Sequence, residues 1–189
     1  MSGPEEDVAE EDVELAVRLL AGTPTHEGRD DVTLRQWALA ATEFGGRMTP
    51  QPVPVRIEER DGGLAAGLLA RYRSRPATVE LYVDTIDRAE RLIEERGWRH
   101  WFPHGSVRAA ALAHEQAHAW LQHAPVRAEF KRALGHTALR VGRRRLYAHV
   151  AGADELAAHA YARAACGLGR NPLLLTEALA ATASCESEN

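Results

Sequence analysis

Hydrophobic positions recur at helical spacing over residues 10 to 21, where Val13, Leu15, Ala16, Leu19 and Leu20 share one side until Gly22-Thr23-Pro24 stops the pattern. Asp30 and Asp31 can cap a second helix that turns Leu34, Trp37, Leu39 and Ala41 mostly inward before Gly45-Gly46 ends it. The period then drops to two. Pro50, Pro52 and Pro54 break any helix, and Val53-Pro54-Val55-Arg56-Ile57 alternates as a strand does. Residues 67 to 73, after the turn signal Asp61-Gly62-Gly63, and the β-former-rich run Thr78 to Val83 complete a predicted small, largely antiparallel three-stranded sheet. From Asp87 the helical period returns, with Ala89, Leu92 and Ile93 inward and Gly97 as the stop. An aromatic cluster of Trp98, Trp101 and Phe102 precedes Pro103 to Gly105. Ser106 to His123 then reads as one amphipathic helix, and further helices are expected over 125–134, 137–150, 153–168 and 172–183, divided by Pro or Gly.

This pattern predicts an α+β fold that is mostly helical. At 189 residues the expectation is a single domain, with residues 1–48 as an N-terminal helical cover over a core spanning 50–189. Apolar residues at 45% and charged residues at 26% describe a globular chain rather than a disordered one. No apolar run reaches the roughly 20 residues that span a bilayer, so no membrane partner is expected. The acidic start Met1-Ser2-Gly3-Pro4-Glu5-Glu6-Asp7 lacks a secretory h-region, and a cytoplasmic location is the expectation. Cys166 and Cys185 are too few for a disulfide framework and form no CxxC pair, so both read as structural.

Charge is unevenly placed. The net charge of -4 argues against a protein devoted to nucleic acid. Acids crowd positions 5 to 14, whereas Arg127, Lys131, Arg132, Arg140, Arg143, Arg144 and Arg145 gather in one stretch. That stretch reads first as a solvated face docked by the acidic N-terminus, with nucleic-acid contact as the minority account.

The chemistry lies in His114-Glu115-Gln116-Ala117-His118. Histidines at i and i+4 of a helix project from one face a turn apart, close enough to reach one ion. Zinc accepts imidazole nitrogen and, in catalytic sites, keeps a position open for water. Glu115, offset around the helix, is placed to take a proton from that water. Two surface histidines beside an acid are the bland account of the same residues. The alanines at 110, 111, 113, 117 and 119 favour the metal, since small residues let other elements approach closely.

A third ligand is required. The pattern HExxHxxGxxH is absent, because Leu121 holds the glycine position, Ala124 the third histidine position, and His123 falls one residue early. Downstream, Gly152-Ala153-Asp154-Glu155-Leu156-Ala157-Ala158-His159-Ala160-Tyr161-Ala162 offers Glu155 on a second helix, 37 residues after His118. Glu155 is the expected third ligand; His159 is its main competitor and Asp154 a lesser one.

This segment resembles the ExxA[ND]x[FY]A pattern of gluzincins, zinc metallopeptidases with glutamate as third ligand, and especially the compact ImmA/IrrE-type and minigluzincin proteins. The resemblance covers about residues 50 to 165 and includes the order helix, small antiparallel sheet, HExxH helix, glutamate helix. It implies a zincin-like domain in which His114, His118 and Glu155 hold Zn2+ and Glu115 acts as general base and later proton donor. It departs where the family has Asn or Asp and this chain has His159, whose expected role is to orient a ligand by hydrogen bonding. The resemblance also implies that residues 78 to 84 form an edge strand that pairs with an extended peptide substrate.

Tyr147, His149 and Tyr161 are candidates for an oxyanion or substrate contact, with ordinary packing as the competing account of each. His26, His100, His104, His123 and His136 read as surface or cap residues, although His104 or His123 could approach the site from the helix ends; the four tryptophans read as packing. The expectation is therefore a zinc-dependent peptidase acting on a peptide or protein. A non-peptidase metalloenzyme and a catalytically silent regulatory protein of ImmA/IrrE type are the alternatives. The sequence leaves the oligomeric state open.

Overall fold

The computed structural model describes residues 4–51 and 54–187, side chains at both ends of that range excepted; Pro52 and Val53, where the first strand was expected to start, lie outside the described residues. In chain order the elements are α1 (Pro4–Ala21), α2 (Asp31–Gly46), β1 (Arg56–Arg60), β2 (Ala70–Ser74), β3 (Ala77–Tyr82), α3 (Val83–Arg96), α4 (Ser106–Leu121), α5 (Ala124–Leu134), β4 (Thr137–Val141), β5 (Arg144–Tyr147), α6 (Ala153–Cys166) and α7 (Leu173–Ser187). The fold is α+β. Among the described residues no helix is long and apolar enough to cross a membrane.

The alanine-rich helix α6 is the axis of the molecule. Ala153, Leu156, Ala157, Ala158, His159, Ala160 and Ala162 are buried along it, so neighbours close on it from several sides. α4 packs on one side through its own alanines, and α2 packs on another. Gly45 of α2 is needed for that second contact: a Cβ there would stand 2.1 Å from the Ala157 carbonyl oxygen. Two apolar clusters result. One joins the sheet, α3, the first half of α4 and α7; the other joins α1, α2, α5 and the first turns of α6. Helix α2 is therefore a wall of the second core rather than a cover, with Trp37, Ala38 and Ala41 buried, whereas Leu39, expected inward, is 47% exposed.

The sheet order is β1-β3-β2, with β1 parallel and β2 antiparallel to β3. The expected, largely antiparallel sheet is thus mixed, because Asp61-Gly62-Gly63 does not fold back as a hairpin. Instead the Asp84 carboxylate accepts N–H bonds from Gly62, Gly63 and Leu64 at 2.9, 3.2 and 3.2 Å, which carries the chain across to place β1 beside β3. Burial opposes ionisation of Asp84, yet these donors hold its carboxyl below the usual range. Val79 and Leu81 of β3 face the core; on the other face the buried Glu80 carboxylate is clamped by Arg60 at 2.9 Å and Arg73 at 3.1 Å.

Two further expectations are corrected. Residues 137–150 form a hairpin, β4 against β5, instead of a helix; Gly142, at φ 59°, supplies the positive φ that a two-residue hairpin turn takes at its first position. The acidic N-terminal helix does not dock on the basic stretch. Arg35 takes Glu10 and Glu14, both at 2.6 Å, while Glu11 and Asp12 pair with Arg170 at 2.8 and 3.0 Å. The buried Asp12 carboxylate also accepts from Arg163 at 3.1 Å and from the Asn171 backbone N–H at 3.2 Å, so a charge that burial would penalise is fully partnered.

Because the Gly45 contact is with backbone, it cannot yield. Gly45→Ala is expected to destabilise the protein by about 2–3 kcal/mol. Gly46→Ala, where a Cβ meets nothing within 4 Å, should be neutral or stabilise by up to about 1 kcal/mol. Urea midpoints of the two variants measure the difference.

Candidate metal centre

Helix α4 presents His114 and His118, and helix α6 presents Glu155 and His159, each pair one turn apart. The two faces meet. The Nε2 atoms of His114 and His118 stand 3.0 Å from each other, and Glu155 reaches His114 Nε2 with Oε2 at 3.3 Å and His118 Nε2 with Oε1 at 3.1 Å. A tetrahedral ion with arms of about 2.0–2.1 Å separates its ligand atoms by about 3.3–3.4 Å. The three donors therefore form nearly one face of such a tetrahedron, and the chemistry of the set, two imidazoles and a carboxylate, suits zinc.

Electrostatics agrees with the geometry. His114 first, and His118 after it, hold the Glu155 carboxyl far below the usual carboxylate range. Burial disfavours the protonated form of His118, but the Glu155 carboxylate more than offsets it and raises the imidazole above its ordinary value. His159 is 7% exposed. Burial, with the nearby His114 next, pushes its pKa well below the ordinary value, so it stays neutral. Its ring centroid lies 4.4 Å from that of His114. The Nδ1 atoms of both rings are buried without a partner, which is the one unsatisfied feature of the cluster. Ligand atoms of His114, Glu155 and His159 lie within 4.8 Å of one another, as do those of His118, Asp154 and Glu155. Both competitors foreseen for the third ligand position thus sit beside the centre, while only Glu155 touches both histidines.

Glu115 does not join the ligand triangle. Its Oε2 accepts a 2.7 Å hydrogen bond from the Tyr72 backbone N–H of β2. Glu115 lines the ligand cavity of about 560 Å³ and also a neighbouring cavity of about 750 Å³; Tyr72 and Gln122 line both. The carboxylate thus stands on the partition, next to the ligands and open to whatever lies along β2. Apolar residues, Phe102, Val107, Ala110, Leu168 and Leu175 among them, line much of the rest of the first cavity.

The strand beside the centre is β2, not residues 78 to 84. β3 is paired on both sides and has no free edge, whereas β2 is paired only with β3. Tyr72 donates its N–H away from the ladder, and by strand alternation Ala70 and Ser74 share that free edge. The structure does not bring the other candidates to the ligand cavity. Tyr147 ends β5, His149 is an exposed residue of the following loop, and Tyr161 lines the second cavity, its hydroxyl donating to Gln116 Oε1 at 3.5 Å. His104 lies by Glu94 and His123 packs on Trp120 in the second cavity. Sequence reasoning missed the Tyr72 donor, because a backbone amide leaves no residue signature; only a correct sheet order would have pointed to it.

No protein-family model matches the chain, and neither a curated protein nor a solved structure matches it.

The triangle makes a direct prediction for metal content. One equivalent of zinc is expected in the wild type by mass spectrometry or atomic absorption, and none after His114→Ala, His118→Ala or Glu155→Ala. His159→Leu should keep the stoichiometry and weaken affinity about 10- to 100-fold, as loss of an orienting neighbour does; loss of stoichiometric zinc in that variant would make His159 a ligand. Since protons compete for His118 and its pKa is raised, zinc affinity should fall as pH drops through and below that raised value, and level off above it.

Proposed function

We propose that this protein is a zinc-dependent peptidase. The observation that carries the proposal is the convergence of His114, His118 and Glu155 within 3.3 Å of one another, with Glu115 on the wall of the same cavity. Bound zinc would supply a Lewis acid that polarises the scissile carbonyl and makes water a nucleophile near neutral pH.

The chain's own groups supply the rest. Glu115 takes the proton of the attacking water on a carboxylate oxygen and later passes it to the leaving amine nitrogen. The Tyr72 N–H fixes the direction in which that carboxylate points. An extended peptide fits beside the free edge of β2, where main-chain groups at Ala70 and Ser74 can pair with it regardless of its side chains. The resemblance of residues 50 to 165 to gluzincins and compact ImmA/IrrE-type proteins supports this reading.

Glu115→Gln keeps the shape of the side chain and an oxygen for the Tyr72 donor, but cannot take a proton. Cleavage of a quenched-fluorescent peptide library is expected to fall by about 10²- to 10⁴-fold in this variant, with zinc content unchanged. Equal turnover by the variant would remove Glu115 from the chemistry, and iron in place of zinc in the purified protein would turn the reading toward oxygenase chemistry.

A further inference from the structure

The β4–β5 hairpin is the least explained part of the molecule. It is exposed on both faces: Leu139, Val141 and Leu146 are 55%, 66% and 64% exposed, and every residue from Ala138 to Leu146 is open to solvent. An isolated two-stranded ribbon is marginal in water. This one also carries an electrostatic cost. Arg140 and Arg145 are cross-strand partners, so two like charges stand on one face of the ribbon; Val141 pairs with Arg144, which places a cation on the opposite face, and Arg143 occupies the turn.

Among the described residues no carboxylate offsets these charges. Among the described residues none of Arg140, Arg143, Arg144 and Arg145 has an ion pair, whereas Arg18, Arg35, Arg60, Arg99, Arg163 and Arg170 all have carboxylate partners. Glu10, Glu11, Asp12 and Glu14 of α1 are occupied by Arg35, Arg163 and Arg170. Helix α5, which leads into β4, adds Arg127, Lys131 and Arg132, also without an acidic partner. In a chain of net charge -4, every charged residue of this ribbon is thus a cation.

The placement of these groups selects the occupant. A bilayer-inserting loop carries apolar residues at its tip with cations behind; here the tip holds Gly142, Arg143 and Arg144, and Leu139 and Leu146 lie behind it. A flat acidic protein surface can meet only one face of a ribbon, but the arginines point from both. A groove with an anionic wall on each side meets both at once. The major groove of B-form DNA admits a two-stranded ribbon, and guanidinium pairs with phosphate in bidentate fashion. We infer that the β4–β5 hairpin is a docking element for duplex DNA, entering the major groove tip first with Arg140, Arg143, Arg144 and Arg145 on the phosphates of its two walls. This reverses the expectation drawn from net charge alone, and it stands independently of the peptidase reading.

Fluorescence anisotropy with a short labelled DNA duplex tests it. Four phosphate contacts give a slope of log Kobs against log salt of about -3.6, so affinity should fall about a hundredfold between about 50 and 200 mM salt. Replacing all four arginines with Gln should lower affinity at the lower salt at least tenfold and flatten the slope, while replacing all four with Lys should retain the slope. Because the hairpin packs on no core element, circular dichroism and zinc content should be unchanged in both. The inference is overturned if the wild type shows no salt-dependent DNA binding, if the Gln variant binds as the wild type does, or if the Lys variant loses the slope. It is overturned equally if duplex RNA, whose major groove is too narrow for a ribbon, binds as tightly as DNA, or if anionic vesicles or polyglutamate retain the protein and DNA does not.

Discussion

Two helices can bring their side chains onto one point only if their backbones come close, and closeness demands small residues where they touch. The alanines of α4 and α6 meet that demand, and the candidate centre follows from it. With Ala113 and Ala117 buried on one helix and Ala157, Ala158 and Ala162 on the other, Glu155 reaches both histidines across the gap. Larger residues at these positions would keep the chemistry in the sequence but separate it in space, since close-packed interiors do not absorb added volume without shifting their elements. The same economy extends to the far side of α6, where Gly45 lets α2 settle onto Ala157.

Around this axis the molecule sorts its charges. Glu10, Glu11, Asp12 and Glu14 of α1 are taken up by cations of α2, α6 and the loop before α7; the face of the sheet turned away from the core is organised around Glu80; Glu155 answers two imidazoles. Asp12, Glu80, Asp84 and Glu155 are each matched to a donor, as burial requires. The hairpin stands outside this scheme, which is why its arginines invite an external partner.

Most helices and the ligand set were legible because both depend on local spacing. His114 and His118 at i, i+4 need only a helix to share a face, and the periodic alanines announce that helix. Glu155 was legible once a second helix with a carboxylate was sought. What sequence could not order was anything decided by distant contacts. The parallel alignment of β1 depends on Asp84 gathering three amides from the preceding turn, a pairing across some twenty residues that no local pattern displays. The misjudged edge strand followed from that error, and with it the missed role of Tyr72. The segment 137–150 failed for another reason: Leu139, Arg140, Arg143 and Leu146 fit a helical spacing as well as they fit a ribbon, and only the turn at Gly142 decides between them. Tyr147, His149 and Tyr161 were chosen by residue type without direction, and direction is what packing sets.

The contact between Asp12 and Arg170 has a reach beyond the first helix. The loop that it holds continues into Pro172 and Leu173, and these, with Leu168 before it, line the ligand cavity. One carboxylate near the start of the chain thereby anchors part of the wall of a cleft whose chemistry is written a hundred residues later. Asp12 is in that sense a spacer, tying the register of the N-terminal helix to one wall of the cavity.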